Sequence, residues 1–277
     1  MIRYSIIVPW HNDDELLKRA LQSVPERPDV ELIPVEDRER RGAGYARNQG
    51  VSRARGEWLL FMDSDDFFMP GCLDMLDRHA DDDADAVFFG VCSVDSDTLK
   101  PSSRAAERMA LLDRYAADRA KTEFYCRYLY TEPWGKMICA DFLRREGIRY
   151  DETVCANDYM FSALCGVKAK KVVYDPSVLY CATSREGSLS SSYFDTPEKV
   201  RARLDVYWRV QQLFDSNRIA LFPFYGMWMM CRKQSGEAAG IAYAFCRERG
   251  ISKMKLWWGC CRRVVRKRLR IGVPFCR

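Results

Sequence analysis

Trp58-Leu59-Leu60-Phe61-Met62-Asp63-Ser64-Asp65-Asp66 is the stretch that decides the fold of this 277-residue chain. Its first five residues are apolar, which indicates a strand buried on both faces, as in a parallel sheet. Three carboxylates follow within four residues, and such neighbours repel one another unless a cation lies between them. The stretch therefore favours a divalent metal with oxygen ligands, often bound together with a phosphate. The alternative is an acidic loop whose carboxylates are solvated.

Strands and helices alternate on both sides of this stretch. Strands are predicted at residues 4–9, 30–35, 58–62 and 86–92, and helices at 14–23, 42–53 and 70–79. This alternation predicts an α/β fold with a parallel sheet. The second half is less regular, with strand patterns at 172–181 and helical patterns at 105–130, 197–217 and 237–250.

Polar clusters follow the first three predicted strands. They are His11-Asn12-Asp13-Asp14, Glu36-Asp37 and Asp63-Ser64-Asp65-Asp66. Ligands of open parallel sheets bind at the carboxyl ends of the strands. Three such clusters in succession predict one composite site.

Composition indicates a folded protein with reduced thiols. Hydrophobic residues make up 48% of the chain and aromatic residues 13%, which argues against disorder. The 12 cysteines form no CxxC pair and only two histidines are present, so neither a disulfide framework nor a Cys/His zinc site is expected. With no signal-peptide pattern and no apolar window of about 18 residues, we expect a cytoplasmic protein.

Charge is concentrated at the C-terminal end. The whole chain carries +5, but residues 247–277 contain 11 Lys and Arg against one acid, Glu248. Apolar residues recur there at helical spacing among the basic ones, beginning with Met254, Trp257 and Trp258. Residues 254–270 are thus typical of a helix that lies on an anionic membrane surface. The alternative is a helix that packs its apolar face on the protein and leaves its basic face in water.

Four blocks of the chain resemble family 2 glycosyltransferases, and they occur in the order of that family. They are Ser5–Asn12, Glu31–Asp37, Gly44–Asp66 with its Ala-Arg-Asn-x-Gly and Asp-x-Asp motifs, and Trp134–Phe161. The resemblance covers residues 4–195. It implies the GT-A fold, a mostly parallel Rossmann-like sheet flanked by helices, in residues 1–195, with a helical C-terminal extension in 196–277. It further implies inverting transfer from a nucleotide-sugar, commonly a UDP-sugar, to a glycan or polyprenyl-linked acceptor of cell-surface polysaccharide synthesis. Such an enzyme works in the cytoplasm or at the inner face of the plasma membrane.

The resemblance also assigns roles to individual residues. The catalytic base is Asp158, and a Mg²⁺ or Mn²⁺ cofactor is held by Asp65 with Asp63. The nucleotide-sugar site comprises Pro9, His11, Asn12, Asp14, Glu36, Asp37, Arg47, Asp63 and Ser64. Trp134, Lys136 and Asn157 line the acceptor or donor-sugar pocket. The chain departs from the family in Glu36-Asp37-Arg38-Glu39, where two aspartates and Gly-Ser are usual, in His11, where an aromatic residue is usual, and in Asn157, where Glu is frequent.

Each assignment has a structural alternative. Asp158 precedes a helical run and could be a cap, Arg47 a helix-surface arginine, and Trp134 a core residue. The sequence leaves two other functions open. A sugar-1-phosphate nucleotidyltransferase needs a glycine-rich loop after the first strand, where Val8-Pro9-Trp10-His11-Asn12 has no glycine. A silent nucleotide- or glycan-binding module would lack the carboxylates that are present. Nucleic-acid binding is not expected from the acidic body of the chain.

Overall fold

One sheet of seven strands organises the protein. The computed structural model describes residues 1–12, 14–185, 194–234 and 236–268. The strands are β1 (Tyr4–Trp10), β2 (Val30–Glu36), β3 (Trp58–Phe61), β4 (Phe67–Phe68), β5 (Ala86–Asp95), β6 (Lys136–Cys139) and β7 (Val172–Ser184). Their order across the sheet is β2-β1-β3-β6-β5-β7-β4.

The sheet is mostly parallel, as the sequence predicts. β1 pairs in parallel with β2 and β3, and β5 with β7, whereas β6 and β4 pair antiparallel to their neighbours. All four residues of β3 are buried. The apolar run before the acidic cluster is therefore a central strand covered on both faces.

Parallel pairing brings the three predicted polar clusters to one edge of the sheet. Trp10 at the end of β1 lies opposite Glu36 at the end of β2. On the other side of β1, the Met62 amide donates to the Ile7 carbonyl at 3.0 Å, which places the acidic cluster after β3 beside the other two. The three predicted clusters therefore follow neighbouring strand ends, and their action as one composite site stays a prediction.

Helices cover the sheet and form the C-terminal region. Those of the first half are α1 (Asp14–Gln22), α2 (Ala43–Arg53), α3 (Cys72–Asp77), α4 (Ala106–Tyr115), α5 (Arg119–Tyr128) and α6 (Ala140–Glu146). They are followed by α7 (Tyr159–Lys168), α8 (Pro197–Ser216), α9 (Pro223–Lys233), α10 (Gly236–Glu248) and α11 (Lys253–Arg268). Asp13, of the first polar cluster, lies outside the described residues.

Three elements differ from the sequence prediction. The helical pattern at 105–130 is two helices, because Asp118 caps α5 by accepting from the Lys121 amide at 3.1 Å. Residues 223–233, where no element is predicted from the sequence, form helix α9, with Pro223 in the first turn, where its missing N–H is no loss. The short pair β6 and α6 was not predicted, since four-residue strands leave little periodicity to detect.

The C-terminal helices have a core of their own. Buried residues of α8, α9 and α10 pack together with Ile251 and Leu256, separately from the core around the sheet. The cysteines within the described ranges are all free, in line with the expected reduced thiols. In the part of the chain that the structure describes, no helix has the length and apolar character needed to span a bilayer.

Candidate active site

Arg47 on α2 connects two parts of the predicted site. Its Nη2 donates to Asp63 Oδ1 at 2.7 Å and its Nη1 to Asn157 Oδ1 at 2.9 Å. The side chain is 6% exposed, so Arg47 is not a helix-surface arginine. Burial lowers the pKa of its guanidinium, but the charges of Asp63 and Asp158 outweigh burial and hold the pKa above its ordinary value.

A glycine allows this approach of α2 to the loop that carries Asn157. A Cβ at Gly44 would lie 2.0 Å from the Asp151 carbonyl oxygen and 2.9 Å from Asn157 Cβ. From the opposite side, α8 supports the same loop, because Arg209 donates to the two carboxylate oxygens of Asp151 at 3.1 and 2.7 Å. The loop is therefore held between α2 and α8.

The ion pair of buried Arg47 with half-buried Asp63 provides a stability prediction. Arg47→Met should lower the free energy of unfolding by about 3 kcal/mol, because it leaves Asp63 without its cationic partner. Urea denaturation followed by circular dichroism measures the change. Arg144→Met is the matched control, since its pair with Asp141 is 58% and 83% exposed and should leave the free energy of unfolding nearly unchanged. Equal stability of Arg47→Met and wild type would contradict the assigned pairing.

Asp66 anchors the acidic loop to β7. It is fully buried and accepts from the Tyr180 hydroxyl at 2.7 Å and from the Thr183 amide at 2.6 Å. Burial, together with the charges of Asp63 and Asp65, raises its pKa to about 8. The Asp65 carbonyl is fixed as well, accepting from Arg19 Nη2 at 2.6 Å. Asp66 is thus the buried acid of the loop, whereas Asp63 and Asp65, with Ser64 between them, are half-buried.

The Asp63 and Asp65 carboxylates fit a divalent metal that is shared with a substrate. Burial and the charge of Asp63 raise the pKa of the Asp65 carboxyl, because neighbouring carboxylates disfavour each other's ionised form. Within the described ranges, no group of three or more His, Cys, Asp or Glu side chains converges into a metal site. Mg²⁺ is commonly bound by one or two carboxylates plus substrate phosphates, and hard oxygen ligands also suit Mn²⁺.

Asp158 is at the N-cap position of α7, but its carboxylate accepts no capping hydrogen bond. The cap alternative therefore lacks its defining contact. Burial raises the pKa of the Asp158 carboxyl, although the charge of Arg47 partly offsets the rise. A helix N-terminus favours the ionised form of a carboxyl group, but burial is the larger influence on the pKa of Asp158. A carboxylate with a raised pKa is a better proton acceptor.

The predicted nucleotide residues lie at the ends of β1 and β2. Pro9 is buried, whereas His11, Asn12 and Asp14 are exposed, with Asn12 in the left-handed region at φ 55°. Glu36 is half-buried and pairs with Arg38 at 2.5 Å. The structure places all of these residues near one edge, and their contacts with a nucleotide stay a prediction.

Asp37 fixes the start of α2. It is buried, and its two oxygens accept from the backbone amides of Arg41 at 2.8 Å and Gly42 at 2.6 Å. Asp37 thereby orders the short loop that replaces the glycine-containing segment usual in the resembling family.

Trp134 and Lys136 lie beneath the site. Trp134 is 2% exposed and stacks on Tyr180 with ring centroids 5.3 Å apart. Lys136 Nζ donates to the Tyr130 carbonyl at 2.9 Å and lies over the Phe88 ring, and burial lowers the pKa of its amine to about 8. Both side chains support the site from below, and their contact with a sugar stays a prediction.

Sequence reasoning missed Tyr180, Glu132 and Arg108. The Tyr180 hydroxyl accepts from the Asp63 amide at 3.1 Å while donating to Asp66. Glu132 Oε1 pairs with Arg108 Nη2, and the charge of Glu132 contributes to the raised pKa of Asp158. The proximity of Glu132 to Trp134 in the sequence was the available signal, whereas Arg108 and Tyr180 reach the site only through the fold.

Comparison with known proteins gives consistent matches. The model of the family described as Glycosyl transferase family 2 matches residues 33–129. Succinoglycan biosynthesis protein ExoO of Rhizobium meliloti is 30% identical over 178 residues, which are 62% of this chain and 50% of that protein. The poly(ribitol-phosphate) beta-N-acetylglucosaminyltransferase TarS of Staphylococcus aureus is 23% identical over 235 residues, covering 72% of this chain and 38% of TarS. The chain thus spans half or less of these curated relatives.

Solved structures share the fold. The complex of S. aureus TarS 1–349 with UDP-GlcNAc has a TM-score of 0.57 and 17% identity, covering 99% of this chain and 93% of that one. Mannosyltransferase PcManGT from Pyrobaculum calidifontis, in complex with GDP-Man and Mn²⁺, has a TM-score of 0.56 and 15% identity, covering 95% and 86%. At these identities the likeness establishes the fold, which is the GT-A fold.

Proposed function

Because the model of glycosyl transferase family 2 matches residues 33–129 of this chain, we propose that the protein is an inverting glycosyltransferase. It moves a sugar from a nucleotide-sugar to a glycan or lipid-linked acceptor in cell-surface polysaccharide synthesis. The observation that carries the proposal is the Arg47 bridge. It joins Asp63 of the Asp-x-Asp loop to Asn157, the neighbour of Asp158. The proposed diphosphate-binding edge and the proposed catalytic base therefore belong to one site.

The residues of the chain divide the chemistry between them. Asp65 and Asp63 would hold Mg²⁺ or Mn²⁺, and the ion would supply positive charge against the leaving diphosphate. Pro9, His11, Asn12, Asp14, Glu36 and Asp37, at the ends of β1 and β2, bind the nucleoside part. Arg47 fixes the position of Asp63 relative to the loop of Asp158. Asp158 removes the proton of the acceptor hydroxyl on the side opposite the diphosphate, which gives single displacement with inversion.

A nucleotide-release screen tests the proposed function. Purified protein with Mn²⁺ is offered UDP-glucose, UDP-galactose, UDP-N-acetylglucosamine and GDP-mannose, with and without bacterial membrane extract as the acceptor source. The two nucleotides are chosen because TarS binds UDP-GlcNAc and PcManGT binds GDP-Man. Release from one donor would support the proposal and identify the sugar. Preferential binding of UTP over every nucleotide-sugar would favour a nucleotidyltransferase instead.

The proposed enzyme has two parts with different tasks. The catalytic part is residues 1–195 and the helical extension is residues 196–277, in keeping with the separate core of α8, α9 and α10. On α11, Leu256 is buried and Gly259 faces the Tyr225 ring, where a Cβ would lie 2.1 Å from a ring carbon. The helix therefore packs one face on the protein and continues through its glycine.

The opposite face of α11 fits an anionic membrane at the inner face of the plasma membrane. Met254 is 78% exposed, Trp257 63% and Trp258 55%, and Lys253, Lys255 and Arg262 lie on the same helix. Exposed tryptophans among basic residues suit the interface of an anionic bilayer. Residues 269 and 270 of the predicted segment lie outside the described residues.

Vesicle sedimentation checks this surface. The protein should sediment with vesicles of phosphatidylcholine and phosphatidylglycerol but not with phosphatidylcholine alone, and added salt should release it. Trp257→Ala with Trp258→Ala should weaken sedimentation by at least about tenfold, because the apolar area that enters the interface is lost. Leu99→Ala is the matched control, since Leu99 is 56% exposed elsewhere. Equal sedimentation of both variants would contradict the proposal.

A further inference from the structure

The loop at residues 129–135, between α5 and β6, is tied at one end to the helix of the proposed base. The Thr131 carbonyl accepts from Ser162 Oγ at 2.7 Å. Ser162 lies one helical turn after Asp158, whose carbonyl accepts from the Ser162 amide at 2.9 Å. Thr131 is therefore held against the first turn of α7, beside Asp158.

The other end of the same loop is tied to the Asp-x-Asp segment. Trp134 stacks on Tyr180 with an interplanar angle of 7°. The Tyr180 hydroxyl contacts both the Asp63 amide and the Asp66 carboxylate. The four residues from Thr131 to Trp134 thus connect the helix of the proposed base to the segment of the proposed metal ligands.

Glu132 lies between Thr131 and Trp134, the two residues that make these contacts, and one of its carboxylate oxygens has no hydrogen-bond donor among the described residues. Oε1 pairs with Arg108, whose guanidinium lies over the rings of Tyr130 and Trp134 at 5.7 and 5.8 Å. Oε2 is buried, and no donor among the described residues hydrogen-bonds to it. A buried acceptor without a donor is costly, and such groups in folded proteins are rare. The ion pair with Arg108 therefore uses one oxygen of Glu132 and leaves the other without a donor among the described residues.

We propose that Glu132 Oε2 accepts a hydrogen bond from a hydroxyl group of the transferred sugar, which makes Glu132 a residue that selects the donor. The inference rests on the proposed function, because single displacement places the transferred sugar between the leaving diphosphate and the base. The loop at residues 129–135 runs between the proposed metal ligands and the proposed base. A carboxylate that hydrogen-bonds a sugar hydroxyl discriminates against analogues that lack the hydroxyl, since its oxygen is then left unpaired.

The test separates binding of the sugar from binding of the nucleotide. Calorimetric titration with Mn²⁺ gives the Kd of UDP and GDP and of the four nucleotide-sugars UDP-glucose, UDP-galactose, UDP-N-acetylglucosamine and GDP-mannose. For the best donor, the ratio of the nucleotide Kd to the nucleotide-sugar Kd measures what the sugar contributes. Glu132→Gln should reduce this ratio by about tenfold and leave the Kd of the nucleotide unchanged. With Arg108 holding the amide oxygen, the variant presents an NH₂ donor where Oε2 had accepted.

Arg108→Met distinguishes ligand binding from a purely structural role. It removes the ion pair but keeps the Glu132 carboxylate, so the sugar contribution should fall less than in Glu132→Gln. An unchanged ratio in Glu132→Gln, or the same loss in both variants, would overturn the inference. Should Glu132→Gln not fold, Glu132→Asp, which shortens the side chain by one methylene, carries the same comparison. Absence of nucleotide binding in the wild type would instead refute the proposed function itself.

Discussion

Transfer to the acceptor should fall by about 10²- to 10⁴-fold in Asp158→Asn, with little change in the Kd of the nucleotide-sugar. The asparagine side chain has the size of the aspartate but cannot take the proton of the acceptor hydroxyl. Initial rates of glycan formation with the donor identified by the screen measure the loss. Asp141→Asn is the matched control, because Asp141 is an 83% exposed acid on α6 and should leave the rate unchanged. A rate within threefold of wild type in Asp158→Asn would exclude Asp158 as the base.

The pH dependence of transfer follows from the same residue. Burial raises the pKa of Asp158 above that of an ordinary aspartate. A base acts only when deprotonated, so the rate should decline as pH falls through this raised pKa and should be constant above it until another group titrates. The acidic limb of kcat should therefore lie at higher pH than an unperturbed carboxylate gives. Arg47→Met should move the limb to still higher pH, because the charge of Arg47 lowers this pKa.

Nucleotide binding should lose its dependence on Mn²⁺ in Asp65→Ala. Removing one of two carboxylates leaves the metal without a chelating pair, and we expect the Kd of UDP or GDP in the presence of Mn²⁺ to rise by at least about tenfold. Calorimetric titration with and without Mn²⁺ gives both constants. Asp74→Ala on α3 is the control, since Asp74 is an exposed acid. If nucleotide binding still depended on Mn²⁺ in Asp65→Ala, the proposed metal site in the Asp-x-Asp loop would be wrong.

The sheet edge was predictable because β1, β2 and β3 are apolar runs that each end in a polar cluster. An apolar run that ends in acids has few interpretations, and parallel pairing then brings such ends together. The order of β1 between β2 and β3 confirms this reasoning. The family motifs likewise predicted that Arg47, Asp63 and Asp158 lie in one region. Arg47 hydrogen-bonds to Asp63 and to Asn157, and the charges of Arg47 and Asp63 both affect the pKa of Asp158.

Other features depend on contacts that no local pattern encodes. Asp66 looks like a ligand-binding acid in the sequence, yet its oxygens accept from the Thr183 amide and from the Tyr180 hydroxyl. Tyr180 reaches Asp66 across 114 positions of the chain. Glu132 is unremarkable by residue type, and its importance comes from the ion pair with Arg108 and from its unpaired oxygen. Such roles follow from long-range packing.

The ion pair of Arg209 with Asp151 bears on where the chain could be truncated. The catalytic half contains every residue to which we assign chemistry, which suggests that it could be excised and used alone. Yet α8 belongs to the other half, and it holds the loop that precedes Asp158 by two hydrogen bonds to one carboxylate. A truncation before α8 would release that loop. The extension is thus an integral part of the catalyst, and natural variation within it can alter turnover without touching a substrate.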